Sequence, residues 1–383
     1  MKRTIITAVV AIVATLAAQA QTAIEIVYSG TTATVTIPDA IEGITSSVNG
    51  ANVTILSTNT ATEYTYRVKG QSADGSLLIS GSYKLQLQLD GLTLTNAHGG
   101  AAIDVECGKR IAVELMAGTV NTLADTPGSQ KAALYFKGHA EFEGSGTLNV
   151  TGRAKHAICA KEYIELKSSL GTINVLGAVS DGIHCGKAKV GDKNNYFLMK
   201  GGVVSIFNVG SDGIDSDDYG VVAIEGGALS VSVGDDATAL KADSTVTISG
   251  GRLSIAVTGA DSEGIRARHT VSIAGGQTTI LVTGNGSKGI KAKRLTAADT
   301  GATVLNGGFL SVSGGETTIH TLGGNFLDTA NGDTEKCMGV SVDADMRMTN
   351  GTLTLLVTGP EAYAYNVKGT ESRTGGQLSV VRT

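Results

Sequence analysis

The chain has 383 residues, with 52 glycines, 3 prolines, 6 phenylalanines and no tryptophan. This composition excludes a core built mainly on aromatic side chains, so small and β-branched residues must fill the interior. The formal net charge of −5 argues against nucleic acid as a partner.

The N-terminus has the pattern of a signal peptide. Lys2 and Arg3 precede an apolar run over 5–16, and Ala18-Gln19-Ala20 supplies the small residues of a cleavage site. The run is shorter than the about 20 residues that cross a bilayer. We therefore expect residues 1–20 to be removed on export, with cleavage near Ala20 and no membrane span. The mature protein is then secreted, periplasmic or on the cell surface.

Residues 21–80 show short alternating strands without a long-range repeat, for example 33–37 and 52–55. An open end of a stacked β structure exposes unpaired backbone groups that favour aggregation. We therefore expect these residues to form an N-terminal β cap.

Residues 81–383 carry a repeat. Apolar anchor residues recur at intervals of about 25 residues, apart from two intervals of 31 and one of 50. Short strands at such a period cannot bury a face alone and stack on their neighbours. The pattern predicts an all-β chain, a right-handed parallel β-helix solenoid of about ten coils, rather than a β-sandwich or a leucine-rich repeat. The anchors are Ile103, Leu134, Ile158, Ile183, Ile214, Leu240, Ile265, Ile290, Val340 and Tyr365.

The longer intervals predict insertions. The interval of 31 residues before Ile214 indicates a loop around 191–196. The interval of 50 residues before Val340 is either two coils or one coil with excursions near 296–304 and 325–336.

The residues around each anchor predict the direction of the side chains. A Gly or Ala precedes every anchor, a mostly polar residue follows it, and a small residue comes next from Ile158 onward. This alternation is typical of a strand whose anchor and second neighbour point inward while the residue between them points outward. We therefore expect Leu240 and Ile265 to lie on adjacent coils, Cys185 to point inward and Cys159 to point outward.

Aspartates are concentrated in three consecutive repeats, and stacked carboxylates with turn carbonyls can supply the six to eight oxygen ligands that Ca²⁺ prefers. Asp181 and Asp212 are the best pair, because each opens an Asp-Gly-Ile sequence and the two are expected to stack. The alternative is a solvated acidic turn. The candidate metal ligands are Asp181, Asp212, Asp215, Asp217, Asp236 and Asp243.

Cations follow on the next repeats. Like charges stacked on one face repel each other, and a bound polyanion relieves that repulsion. The alternative is a solvated face balanced by the neighbouring aspartates and Glu263. The candidate glycan-binding residues are Lys241, Arg266, Arg268, Lys288, Lys291 and Lys293.

The sequence gives little indication of catalysis. No histidine has a Cys or Ser partner at a spacing that suggests a nucleophile and base. His156 lies two residues before its anchor and His184 one residue after its own, so we expect these two side chains not to converge. No catalytic residue is assigned.

Several motifs follow one another along the chain. They are the earlier segments 87–96 and 118–123, the two Ser-Asp-Gly-Ile sequences at 180–183 and 211–214, and the segments 263–267 and 288–292. Together they resemble a family of secreted carbohydrate-binding β-helix proteins of the pectin- or polygalacturonate-binding type. The resemblance covers about 75–383 and implies non-catalytic binding of acidic, pectin-like polysaccharide, with structural calcium held by Asp181 and Asp212. Later repeats replace this aspartate with Thr238, Glu263 and Lys288, which leaves the number of ions open.

Three functions stay open from the sequence. The first is a secreted module that binds acidic polysaccharide without cleaving it. The second is a calcium-dependent polysaccharide lyase of the same architecture, with an Arg or Lys as the base. The third is a surface structural or adhesion protein without a glycan ligand.

Overall fold

The computed structural model describes residues 23–186, 195–217, 219–294, 306–327 and 332–383. Every helix or strand within these ranges is a β-strand, which confirms the predicted all-β class. No helix in these ranges is therefore long and apolar enough to cross a membrane. The predicted signal peptide and the predicted excursion at 296–304 lie outside the described residues, as does most of the predicted loop at 191–196.

In chain order the strands are β1 (Ile24–Ser29), β2 (Thr32–Thr36), β3 (Ile44–Asn49), β4 (Asn52–Ser57), β5 (Tyr64–Ser72), β6 (Ser76–Ser80), β7 (Leu85–Thr95), β8 (Ile103–Glu106), β9 (Arg110–Leu115), β10 (Val120–Ala124), β11 (Ala132–Phe136), β12 (His139–Glu143), β13 (Thr147–Gly152), β14 (His156–Ala160), β15 (Ile164–Leu166), β16 (Thr172–Ala178), β17 (Ile183–Cys185), β18 (Tyr196–Met199), β19 (Val203–Val209), β20 (Ile214–Ser216), β21 (Val221–Ile224), β22 (Ala228–Val233), β23 (Thr238–Ala242), β24 (Thr245–Ile248), β25 (Arg252–Val257), β26 (Glu263–Ala267), β27 (Thr270–Val282), β28 (Lys288–Ala292), β29 (Phe309–Thr321), β30 (Phe326–Leu327), β31 (Thr334–Glu335), β32 (Met338–Val342), β33 (Met346–Val357), β34 (Tyr363–Val367), β35 (Glu371–Arg373) and β36 (Gln377–Arg382).

Most strands pair in parallel with the strand one repeat later, and the pairs form three ladders. The first ladder contains β9, β12, β15, β18, β21 and β24. The second contains β10, β13, β16, β19, β22 and β25. The long strands β27, β29 and β33 run through both, so these two ladders belong to one sheet. The third ladder, from β6 through β8 to β34, lies in a separate 13-stranded sheet.

The anchors form one continuous row in the third ladder. Leu240 pairs with Ile214 on one side and with Ile265 on the other, as the predicted stacking requires. Ile290 pairs directly with Val340, so the interval of 50 residues is a single turn of the chain. The remaining anchors pair in the same register from Ile103 to Tyr365.

The strand alternation is interrupted at the start of each third-ladder strand. In β26, Gly264 and the anchor Ile265 both face the interior: a Cβ on Gly264 would lie 3.0 Å from Cγ2 of the second-ladder residue Ile280. Consequently Glu263, two residues before the anchor, and Arg266, one residue after it, share the outer face, and their side chains approach to 3.8 Å. This outer face of the third ladder therefore presents two adjacent columns of side chains.

The four cysteines are buried and free. Cys185 belongs to the main core, whereas Cys159 packs with Tyr135 and Ala132 in a separate cluster. The inward direction predicted for Cys185 and the outward direction predicted for Cys159 are thus confirmed.

Two antiparallel hairpins begin the described chain. β1 pairs with β2 and β3 pairs with β4, while β1 and β4 continue in parallel onto β5 and β6. They lie before the first repeat, where the cap is predicted, and the boundary near residue 80 stays a prediction.

Gly264→Ala is expected to lower the free energy of unfolding by about 1–3 kcal/mol, because overpacking displaces neighbouring atoms. The added Cβ would lie 2.5 Å from the backbone oxygen of Gly289 on the next turn. Gly234→Ala is the matched control, since no atom lies within 4 Å of its Cβ position. Urea titrations compare the two variants. Equal destabilisation by both would contradict the close packing described for this column.

Candidate functional site

Asp181 and Asp212 have a structural role at the corners before β17 and β20. Oδ1 of Asp181 accepts the backbone N–H of Asp212 at 3.1 Å, and Oδ1 of Asp212 accepts the backbone N–H of Thr238 at 2.8 Å. Each carboxylate therefore satisfies a buried donor on the following turn, which stabilises the corner. This bonding explains the repeated Ser-Asp-Gly-Ile sequence without requiring a metal.

The structure brings together three of the six predicted metal ligands. Asp181, Asp212 and Asp215 are all buried, and one carboxylate oxygen from each lies within 4.8 Å of the others. Asp217 joins this group through His184, whose Nε2 lies 3.8 Å from Oδ2 of Asp217. By their positions these side chains could hold a metal ion.

The other two predicted ligands lie apart from this group. Asp236 is exposed in the turn between the second and third ladders, with a left-handed φ of 49°. Oδ1 of Asp243 forms an ion pair with Nε of Arg268 at 3.1 Å.

A lysine already occupies the acidic group. Nζ of Lys241 lies 2.8 Å from Oδ2 of Asp212 and 3.4 Å from Oδ1 of Asp215. Burial acts to lower the pKa of Lys241, but Asp215 and Asp212 together raise it above its usual range. A calcium ion, which needs six to eight oxygen ligands, would compete with this ammonium for the same carboxylates.

The prediction that His156 and His184 do not converge is wrong. Their rings stack at 4.3 Å between centroids with 9° between planes. Nδ1 of His156 and Nδ1 of His184 lie 3.1 and 3.0 Å from the same atom, Oδ2 of Asp181. The reason is the interrupted strand alternation before the anchor. Because of it, a residue two before an anchor, such as His156, and a residue one after an anchor, such as His184, lie on the same outer face.

The predicted glycan-binding cations are ion-paired. Lys291 lies 2.7 Å and Arg266 3.8 Å from Glu263, and Arg268 pairs with Asp243 as described above. Lys288 is only 3 % exposed and its Nζ lies 2.5 Å from Glu335 in the β30–β31 hairpin. Lys293 also has an interaction partner. Along this part of the outer face the positive charges are therefore balanced by carboxylates.

Three exposed lysines line two adjoining cavities further toward the N-terminus. The cavities have volumes of about 360 and about 330 Å³ and share Lys131, Tyr135 and Lys161 in their walls, and Lys155 lines the second. Among the described residues, no carboxylate lies within ion-pair distance of Lys131, Lys155 or Lys161. These cavities form a continuous depression over the outer face of the third ladder, named here the lysine groove.

The groove also contains acidic and imidazole groups. Asp104 and Lys137 line its first cavity, and Lys137 pairs with Glu106 at 2.9 Å. His156 and His184 line the second cavity. Burial, followed by the charge of Glu106, raises the pKa of Asp104 to about 6.

Sequence reasoning missed the lysine groove although the repeat contained a signal for it. Lys137 and Lys161 lie three residues after their anchors, in the same column as Arg268 and Lys293. Lys131 and Lys155 lie three residues before the same two anchors, a column that was not considered.

One protein family and one solved structure have similarity to this chain. One solved structure with similarity is the polysaccharide lyase-like protein from C. thermocellum, determined as a gadolinium derivative. It is 16 % identical over 93 % of this chain and 100 % of that chain, with a TM-score of 0.36, a likeness too low to bear on function. No curated protein matches the sequence. The family model described as carbohydrate-binding domain-containing protein matches residues 49–281, more than half of the chain, so the chain belongs to the family of carbohydrate-binding domain-containing proteins.

Proposed function

We propose that this protein binds an acidic, pectin-like polysaccharide in the lysine groove and does not cleave it. The observation that carries the proposal is the set of three exposed lysines, Lys131, Lys155 and Lys161, which line one groove without a carboxylate partner among the described residues. Membership of a carbohydrate-binding family supports a glycan as the ligand.

The repeat gives the groove a spacing suited to a linear polyanion. Lys131 and Lys155 immediately precede β11 and β14 at equivalent positions, and these two strands pair in parallel. Adjacent strands are about 4.8 Å apart, so a glycan along the ladder meets one such position per turn. Uronate carboxylates would replace the missing counter-charges of these lysines.

The predicted cations extend the same surface. We propose that Lys241, Arg266, Arg268, Lys288, Lys291 and Lys293 contribute less per residue than the groove lysines. The ion pairs described above already neutralise most of these charges, and separating such a pair costs energy. The strongest binding is then expected at the N-terminal end of the outer face.

We also propose that the chain as a whole is an exported right-handed parallel β-helix. The three parallel ladders support the stacked arrangement, and parallel crossovers within one sheet are right-handed in about 98 % of proteins. Calcium is proposed as a structural ion at Asp181, Asp212 and Asp215, in competition with the ammonium of Lys241.

Affinity gel electrophoresis on polygalacturonate tests the function. We expect retardation that weakens as salt rises, because screening reduces the attraction between lysines and uronates. A parallel gel with added calcium tests the structural ion, and absorbance of unsaturated uronide tests the lyase alternative and is expected to stay flat. Migration unchanged by polygalacturonate would overturn the proposal and leave the structural-protein alternative.

Binding is expected to be stronger at pH 5 than at pH 7. The pKa of Asp104 is raised to about 6, so this carboxylate is charged at pH 7 and largely neutral at pH 5. Its protonation removes a negative charge from the groove while uronates, whose pKa is near that of other α-substituted carboxylic acids, stay mostly ionised. Asp104→Asn should bind equally at the two pH values. A wild-type preference for pH 7, or a preference for pH 5 retained in the variant, would contradict this assignment.

A further inference from the structure

Two imidazoles meet at one carboxylate atom of Asp181. Oδ2 of Asp181 lies 3.1 Å from Nδ1 of His156 and 3.0 Å from Nδ1 of His184. Nδ1 of His156 also lies 3.4 Å from the backbone nitrogen of Asp181, whose N–H can donate to it when that ring nitrogen carries no proton. In that tautomer a cation between Nδ1 and Oδ2 satisfies both lone pairs.

Asp215 adds a buried negative charge beside the two imidazoles. It is 4 % exposed, and its Oδ2 lies 3.5 Å from Nδ1 of His184. Its Oδ1 accepts no hydrogen bond and lies 3.4 Å from Nζ of Lys241. Buried carboxylates favour positive charge nearby, and here Lys241 supplies only part of it.

We propose that His156, Asp181 and His184 form a binding site for a divalent transition metal of the zinc type, which shares Asp181 with the proposed calcium position and therefore competes with it. The ligand atoms are Nδ1 of each histidine and a carboxylate oxygen of Asp181. Imidazole nitrogen with carboxylate oxygen suits zinc and related metals, whereas calcium prefers oxygen ligands alone. The inference goes beyond the proposed function and holds whether or not the protein binds glycan.

The separations between the ligand atoms agree with such a site. In tetrahedral zinc centres the metal–nitrogen bond of about 2.0–2.1 Å places neighbouring ligand atoms about 3.3 Å apart. The observed separations to Oδ2 of Asp181 are 3.1 Å for His156 and 3.0 Å for His184. Binding requires the rings to tilt from their parallel stack, so that both lone pairs point at one ion.

The surroundings provide access and charge balance. Both histidines line the second cavity of the lysine groove, which leaves a fourth position open to water or to a ligand carboxylate. Oδ2 of Asp181 and Oδ2 of Asp215 lie 3.0 and 3.5 Å from Nδ1 of His184, so two carboxylates are close enough to offset the charge of a divalent cation.

The test measures metal binding to the chelator-treated full chain. Competition with a chromogenic chelator is expected to give one zinc ion per chain, and cobalt substitution should give the visible absorption of a tetrahedral site without a thiolate charge-transfer band. His156→Gln and His184→Gln should each weaken zinc binding by at least about 10-fold to 100-fold, because loss of a group that merely orients a ligand already costs that much at comparable sites. His320→Gln replaces a half-buried histidine outside the group, and this matched control should bind as the wild type does.

Any of three results would overturn the proposal. The wild type and both histidine variants could bind zinc with equal affinity, or calcium could displace zinc at equal concentration. The cobalt spectrum could also be that of an octahedral site or of a site with a thiolate ligand. Circular dichroism of the metal-free variants checks their folding. If either variant is unfolded, the cobalt spectrum of the wild type shows whether the metal has tetrahedral coordination without a thiolate. Because no glycan enters the assay, its failure is independent of the polysaccharide gels.

Discussion

Replacing Lys131, Lys155 and Lys161 together by Gln is expected to weaken binding to polygalacturonate by roughly 3-fold to 150-fold. Each solvent-exposed charge pair contributes about 0.2–1 kcal/mol, so three together contribute about 0.6–3 kcal/mol. These lysines have no carboxylate partner among the described residues, so the protein loses no internal ion pair when they are replaced. The shift in retardation on affinity gels measures the effect.

A second triple variant controls for the change in net charge. Lys69, Lys84 and Lys368 are each at least 40 % exposed and lie outside the groove. Their replacement by Gln removes the same three charges and is expected to leave retardation within two-fold of the wild type, by the small contribution of exposed pairs. If both triple variants bind equally weakly, non-specific charge rather than the groove accounts for binding.

Glu263→Leu is expected to destabilise the fold by about 3–5 kcal/mol, because removing one partner of a buried ion pair leaves an uncompensated charge. Glu263 is 4 % exposed, accepts the Thr238 hydroxyl at 3.1 Å, and pairs with Lys291 and Arg266. Glu225→Leu is the control, since Glu225 is exposed, and its effect should stay within about 0.5 kcal/mol. Urea unfolding measures both variants.

The contribution of Glu263 to the free energy of unfolding is expected to depend on pH. Burial acts to raise the pKa of Glu263, but Lys291 and Arg266 outweigh it and the pKa is lowered. A carboxyl with a depressed pKa in the folded state stabilises the protein above its unfolded pKa of about 4.3, and this contribution is lost as the pH falls further. If the Glu263→Leu variant is as stable as the wild type at pH 7, Glu263 is not the main carboxylate that balances the cations of this surface.

The sequence was sufficient to predict the order along the ladders. A small residue before an apolar anchor, repeated at a nearly constant interval, fixes which residues are vertical neighbours, and Leu240 beside Ile265 follows directly. The parallel pairing depends on this local pattern alone, since each turn contacts only the next.

The lateral contacts of the outer face could not be predicted in the same way. The meeting of His156, Asp181 and His184 depends on the interrupted alternation at the corner, which the count from the anchor does not show. The burial of Lys288 depends on Glu335, which lies 47 residues further along the chain, outside the repeat. The ion pairs between Glu263 and its cations depend on the same corner geometry. The cations that the sequence places in one column are therefore neutralised by carboxylates in the structure.

Lysine acetylation footprinting with bound polygalacturonate tests the central claim most directly. Each lysine is labelled with and without glycan, and its modification is quantified by mass spectrometry. We predict that Lys131, Lys155 and Lys161 become protected while Lys84 and Lys368 are labelled equally in both samples. Retained glycan with the three groove lysines labelled as in the free protein would contradict the account.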